Sequence, residues 1–256
     1  MSNTVDSIAS LPLLGVSSYP SWPQDATLRA KKPRAAQVDS QPPLDEYFNT
    51  LFTALGPQHW WPGKTPFEVI LGAVLTQNTS WKNVELALAN LRAAGVFTPS
   101  SVKKVHIRRL QSLVRPSGYY RQKARALKAF VQFLRTDYRG SLRRMFAAPT
   151  IELREKLLRV WGIGPETADA ILLYAGKHPV FVVDAYTMRI MARHGWISGK
   201  TKYEEVRWMF ERQTPGNVER FKEFHGLIVS VGKNWCRKQV AECEKCPLGR
   251  YLEEGR

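Results

Sequence analysis

Leu157-Leu158-Arg159-Val160-Trp161-Gly162-Ile163-Gly164-Pro165-Glu166-Thr167-Ala168-Asp169, followed 18 residues after Glu166 by Asp184, is the stretch on which the reading of this chain turns. Leu157, Leu158 and Val160 follow a helical pattern, which Gly162 and Gly164 break. Pro165 suits the first position of a new helix, because the N–H it lacks would have no partner there. The spacing predicts helix, tight glycine hairpin, helix. The glycines admit a close backbone approach, and the second helix opens with free N–H groups, which together cradle a phosphate. A carboxylate one short segment later would stand beside any nucleic-acid backbone held there.

Composition agrees with an anionic partner. The 256 residues suffice for one compact domain or two lobes, and 44% are hydrophobic, enough for a real core. Lys and Arg number 38 against 22 Asp and Glu, a formal charge of +16 that makes nucleic acid the first candidate. Residues 101–146 hold 13 Lys and Arg but a single acid, Asp137, and are expected to form a phosphate-facing patch. The apolar run at 8–16 is short, contains Pro12 and has no basic leader, so it reads neither as a signal peptide nor as a membrane span. Three cysteines near the C-terminus make no disulfide scaffold, and a cytoplasmic, nucleoid-associated location is expected.

Residues 1–42, rich in Ser, Pro and Ala without a sustained period, read as a disordered basic tail. The domain is expected over 43–256 and is helical almost throughout. Helices are predicted at 44–55, 67–75, 84–93, 102–114, 123–134, 151–160, 166–174, 185–194, 203–213 and 221–231, with Pro and Gly between them. The run 180–183 is long enough only for an extended connector. No internal repeat, dinucleotide fingerprint or nucleotide-hydrolase phosphate loop is present. The fold class is all-α.

Asp184 stands just before the helix that begins at Ala185, where Asp is a favoured N-cap. A capping carboxylate accepts backbone N–H bonds, which lower its pKa and keep it ionised. An ionised carboxylate suits the stabilisation of positive charge growing on a deoxyribose, or the orientation of a water, better than it suits acid catalysis.

Leu158-x-x-Trp-Gly-Ile-Gly-Pro-Glu-Thr-Ala-Asp-Ala-Ile-Leu172, with Val182-Val183-Asp184-Ala185-Tyr186-Thr187-x-Arg189, resembles the helix-hairpin-helix Gly/Pro-Asp superfamily of DNA glycosylases, which includes endonuclease III. The resemblance implies two helical lobes with a DNA-binding cleft between them and the hairpin (about 151–175) at its mouth. The lobe carrying Asp184 would combine the N-terminal helix with the C-terminal ones. It places Asp184 at the catalytic position and Gly162, Gly164 and Thr167 among the DNA-binding residues. Endonuclease III has a Schiff-base lysine where this chain has Glu166, and a carboxylate forms no imine. The resemblance therefore implies a monofunctional enzyme. Glu166 is also a first-turn acid that complements a helix dipole.

Three further segments are similar to the bacterial 3-methyladenine glycosylases of the endonuclease III-like branch: His59-Trp60-Trp61-Pro62, Thr76-Gln77-Asn78-Thr79-Ser80-Trp81, and Arg115-Pro116-Ser117-Gly118-Tyr119-Tyr120. On this resemblance Trp60, Trp61 and Trp81, with Glu166, line the pocket for an extruded base. Gln77 fills the gap the base leaves, and Tyr119 is a second wedge. A cationic alkylated purine would stack well on the indoles and is already an activated leaving group. His225 is expected to be structural. That branch often has a lysine shortly after this segment, where this chain has Leu227.

Cys236-x6-Cys243-x2-Cys246 matches the first three ligands of the endonuclease III iron–sulfur loop, and Leu252 stands where the fourth would fall. The resemblance implies a [4Fe–4S] cluster with a non-cysteine fourth ligand such as Glu253 or Glu254. A zinc with an open position and a loop without metal remain open. The expected function is base-excision repair: a monomeric, monofunctional DNA glycosylase acting on double-stranded DNA with a damaged base, an alkylated purine such as 3-methyladenine. The alternatives are a bifunctional glycosylase/lyase for oxidised pyrimidines and a non-catalytic DNA-binding hairpin module.

Overall fold

A computed structural model describes residues 41–213 and 216–252. The predicted tail up to residue 40, and Glu253 and Glu254, lie outside the described residues. Among the described residues, twelve α-helices follow in chain order: α1 Leu44–Leu55, α2 Pro66–Leu75, α3 Trp81–Ala93, α4 Pro99–Lys104, α5 Ile107–Val114, α6 Tyr120–Tyr138, α7 Leu142–Phe146, α8 Thr150–Leu158, α9 Pro165–Ala170, α10 Ala185–Arg193, α11 Tyr203–Gln213 and α12 Val218–Asn234. A π-helical turn, Ile171–Ala175, extends α9. Among the described residues there is no strand, only an isolated bridge between Cys236 and Ala241.

The helices form two groups. Helices α2 to α9 pack on one another around α6, and α1 packs with α11 and α12, the latter against α10. The π turn touches both α2 and α12, so the segment leaving the hairpin joins the groups. Helix α2 explains why its sequence is nearly all apolar. Every residue from Phe67 to Leu75 is buried, Glu68 included. Pro66 occupies its first turn, and the Thr65 hydroxyl accepts the Glu68 N–H at 3.2 Å.

Three local differences from the sequence expectation have physical causes. The predicted helix at 102–114 is two helices, because Val105 is extended and the His106 side chain caps α5 by accepting the Arg108 N–H. The Lys128 amine of α6 donates to the Lys103 and Val105 carbonyls at that break. Helix α7, missed in sequence, is a five-residue helix started by the Ser141 hydroxyl, which accepts the Arg144 N–H. The expected connector is extended, and Val180, Phe181, Val182 and Val183 are all buried. It remains a connector because side chains take up its backbone donors: Phe181 N–H bonds Glu211 at 2.9 Å and Val183 N–H bonds the Tyr203 hydroxyl at 3.3 Å.

The basic segment is not all surface. Lys123 is buried, and its amine donates to the Leu75 and Ser117 carbonyls. Burial pushes its pKa down to about 8. Lys123 thus satisfies orphan carbonyls at a helix end, and only the remaining basic side chains are available to an anion.

A buried ion pair fixes the hairpin. Arg154 of α8 grips Asp169 of α9 through Nε at 2.6 Å and Nη2 at 3.0 Å, and Asp169 is fully buried. The Tyr203 hydroxyl donates to the same carboxylate at 2.9 Å, and Arg154 also reaches Glu204 at 2.7 Å. The two arms of the hairpin and α11 are thereby held in one relative orientation.

Candidate active site

The buried connector delivers Asp184 to the start of α10, where it is the N-cap residue. Its Oδ1 accepts the Thr187 N–H at 2.8 Å and the Thr187 hydroxyl at 2.9 Å. Its Oδ2 lies 3.5 Å from Nε2 of His225, a buried side chain of α12. Burial alone would raise the Asp184 pKa. The His225 imidazole and the two Thr187 donors outweigh it and hold the carboxyl below the usual aspartate range.

Asp184 opens into a cavity of about 670 Å3. One wall is aromatic. The Trp61 and Trp81 rings meet edge to face at 5.4 Å, Trp60 lies 6.2 Å from Trp81, and Trp61 lies 5.1 Å from Tyr174. All three tryptophans line the cavity. Trp61 sets its Nε1–Cζ2 edge against Gly72 of α2, and Trp60 lies against Gly226 of α12, where an added Cβ would stand only 2.8 Å from the Trp60 Cβ. Trp61 and Trp60 are therefore backed by α2 and α12.

Glu166, in the first turn of α9, lines the same cavity. Loss of hydration pushes its pKa up to about 8, and the negative charge of Asp184 adds to the effect. The cavity thus holds one carboxylate and one carboxylic acid near neutral pH, two groups whose surroundings drive their pKa values apart.

The hairpin has the predicted form. Gly162 takes φ +81°, and a Cβ there would approach the Ala126 Cβ to 2.7 Å. Gly164 is extended and Pro165 begins α9. The Gln77 amide donates to the Gly162 carbonyl at 3.0 Å and to the Thr167 hydroxyl at 2.9 Å, tying the α2–α3 loop to the hairpin. Thr167 is buried and faces this loop. Asn78, next to Gln77, is exposed with φ +51°. Tyr119 is 65% exposed, with φ +44°, at the entrance to α6. Trp161 is exposed at the hairpin tip with the Arg125 guanidinium 4.0 Å above its ring.

Cys236, Cys243 and Cys246 line a second cavity, of about 180 Å3, together with Leu252. Two arginines of α10 secure its rim: Arg189 Nε donates to the Cys236 carbonyl at 2.7 Å, and Arg193 Nη1 donates to its Sγ at 3.1 Å. Among the described residues, no three His, Cys, Asp or Glu side chains are close enough to hold a single metal ion.

Sequence reasoning gives His225 a structural part only and misses Lys233. His225 stands against Asp184, and Lys233 lines the cavity with its amine nitrogen 4.7 Å from the Trp60 ring centre. The signal was present as a helical stripe. His225, Val229, Gly232 and Lys233 all line the cavity and recur at i, i+4, i+7 and i+8 along α12.

Residues 71–215 match the family described as HhH-GPD superfamily base excision DNA repair protein. A protein of Methanocaldococcus jannaschii named as a DNA repair glycosylase is 43% identical over 206 residues, 80% of this chain and 93% of that one. Endonuclease III of Thermotoga maritima is 30% identical over 73% of this chain and 83% of its own. Among solved structures, the Helicobacter pylori 3-methyladenine DNA glycosylase bound to 1,N6-ethenoadenine superposes with TM-score 0.67 at 32% identity, covering 74% of this chain and 97% of that one. A trapped endonuclease III–DNA covalent intermediate gives TM-score 0.67 at 25% identity, over 80% and 90% of the two chains.

Proposed function

The chain belongs to the HhH-GPD superfamily of base excision DNA repair proteins and is a DNA glycosylase, hydrolysing N-glycosidic bonds, and we propose that it is a monofunctional one acting on alkylated purines such as 3-methyladenine. The observation that carries this is the pairing of an ionised Asp184 with Glu166, at the position of the endonuclease III lysine, in one tryptophan-walled cavity. Asp184 stabilises positive charge developing on the deoxyribose and orients the attacking water. Trp61 and Trp81 stack on the extruded base. Glu166, still carrying its proton at neutral pH, donates a hydrogen bond to the base edge. Tyr119 and the loop of Gln77, whose amide is bonded back to the hairpin, enter the duplex, and Gly162 and Gly164 bring the hairpin backbone against a phosphate.

Lys233 favours a second reading. Its amine covers a face of Trp60, which disfavours a cationic base there and suits a neutral base with an N–H/C=O edge, such as a deaminated one. The deciding experiment is mass spectrometry of bases released from a panel of damaged duplexes, with Asp184→Asn as control. Release of alkylated purines supports the first reading, and release of deaminated bases alone supports the second.

That Cys236, Cys243 and Cys246 line one apolar cavity supports an iron–sulfur cluster there. Cys236, Cys243 and Cys246 would hold it. Its role would be structural, ordering the loop that carries Arg237 and Lys238, which line the catalytic cavity. The residues 43–256 form the glycosylase domain in this reading, and the protein acts on double-stranded DNA as a monomer. Among the described residues, no helix is long and apolar enough to cross a membrane.

A further inference from the structure

The buried polar groups behind Asp184 form a chain. The Tyr174 hydroxyl lies 2.6 Å from Nδ1 of His225, and the opposite ring nitrogen, Nε2, lies 3.5 Å from Asp184 Oδ2. Nε2 is buried and makes no hydrogen bond of its own, and the Asp184 carboxylate at 3.5 Å is the acceptor it faces. The Tyr174 hydroxyl has two acceptors in reach, Nδ1 at 2.6 Å and the Lys222 carbonyl at 3.5 Å, and Nδ1 is much the nearer. With Tyr174 as donor to Nδ1, the neutral ring carries its proton on Nε2, facing Asp184. If the ring is doubly protonated, Nε2 carries a proton as well. Either way an N–H points at the carboxylate.

We infer that His225, set by Tyr174, is a positioning residue for Asp184: it fixes the orientation of the carboxylate and keeps it ionised inside the cavity. The inference rests on the reading of Asp184 as the ionised carboxylate of the reaction. The need for such a residue comes from the surroundings. Asp184 is largely withdrawn from water, and an acidic side chain from α9, Glu166, lines the same cavity. Its own helix contributes Thr187, Tyr186 and Arg189, and the π turn contributes Tyr174. Helix α12 contributes His225 and Lys233, and Arg237 and Lys238 follow it on the cavity rim. Of these, Thr187 hydrogen-bonds the carboxylate and His225 faces it at 3.5 Å. Thr187 takes Oδ1, so the state of Oδ2 depends on His225. Packing also keeps the ring in place. Phe181 stands edge-on to it and Tyr174 lies tilted against it at 5.8 Å.

The test is independent of any substrate. The full chain has seven aspartates, so labelling with aspartate carrying 13C at the side-chain carboxyl gives a resolvable set, and Asp184→Asn assigns its signal. In the wild type that carboxyl is expected to titrate below the exposed aspartates. In His225→Phe its midpoint should rise by about 1–3 units, and in Tyr174→Phe it should rise by less in the same direction. An unchanged midpoint in folded His225→Phe overturns the inference. If His225→Phe does not fold, Tyr174→Phe, which loses one hydroxyl from a retained ring, decides alone, and an unchanged midpoint there overturns it. A second readout uses duplexes containing the base identified in the release panel. The acid limb of the single-turnover rate should move to higher pH in the variants while duplex affinity stays the same. A uniform fall in rate without that movement also counts against it. Because the titration needs no DNA, failure of the release panel and failure of this inference are separately visible.

Discussion

Glu166 and Asp184 line one cavity, and their surroundings push their carboxyl groups in opposite directions: desolvation and the neighbouring charge hold Glu166 protonated up to about pH 8, while His225 and Thr187 keep Asp184 ionised. In the proposed reaction this division supplies an acid and a carboxylate at neutral pH.

Removing the Asp184 charge should remove the transition-state stabilisation. Asp184→Asn retains an acceptor for the Thr187 N–H, so the fold should persist. The single-turnover rate of base release is expected to fall by about 10²–10³-fold, the usual loss of one oriented electrostatic contact. Gel-shift affinity for a duplex with an abasic-site analogue should be retained. Loss of binding in parallel with rate would argue for a structural role instead.

Glu166→Gln separates the proton from the shape. The unfolded chain ionises Glu166 near its ordinary value, whereas the folded protein holds the proton up to about 8. Between those values the unfolded state binds fewer protons, so this residue makes stability fall as pH rises. Glutamine abolishes that fall. The melting temperature of the variant relative to wild type should therefore rise between pH 5 and pH 9, and a decline in activity centred near pH 8 should disappear.

Lys233 and Lys238 both line the cavity, and Lys233, against Trp60, is the first residue to watch for strand cleavage. Borohydride reduction during turnover is expected to trap no protein–DNA adduct, and an adduct abolished by Lys233→Met would establish a lyase. Lys233→Met also frees a face of Trp60. A cation–π contact is worth about 0.5–2 kcal/mol, so release of cationic alkylated purines should rise by roughly 2- to 30-fold relative to neutral bases.

The Arg154–Asp169 pair should matter to stability more than to chemistry. Arg154→Met leaves a fully buried carboxylate without its bidentate partner and is expected to cost about 3–5 kcal/mol in urea unfolding. Adding Asp169→Leu to that variant should recover part of the loss, because the stranded charge is then gone.

Protein purified without oxygen should contain iron and acid-labile sulfide, and Cys246→Ser should lower both. Equal metal content in wild type and variant would remove the loop from consideration as a cluster site.

The hairpin and the N-cap at Asp184 were legible in the chain because both are local. Gly162 needs φ +81°, Pro165 starts a helix, and Asp precedes one. The helix boundaries were legible to within a few residues, except where a side chain intervened: His106 caps a new helix in the middle of a basic run, and Ser141 starts a helix too short to show a period. The all-α class, the superfamily and the place of the candidate carboxylate thus follow from adjacent residues, whose conformational preferences operate within one or two turns. The protonation states of Glu166 and Asp184, the contact of His225 with Asp184, the cover of Lys233 over Trp60 and the burial of Lys123 belong to the tertiary structure. They depend on segments dozens of residues apart excluding water together, and neither desolvation nor the direction of a neighbour's dipole is written in local spacing.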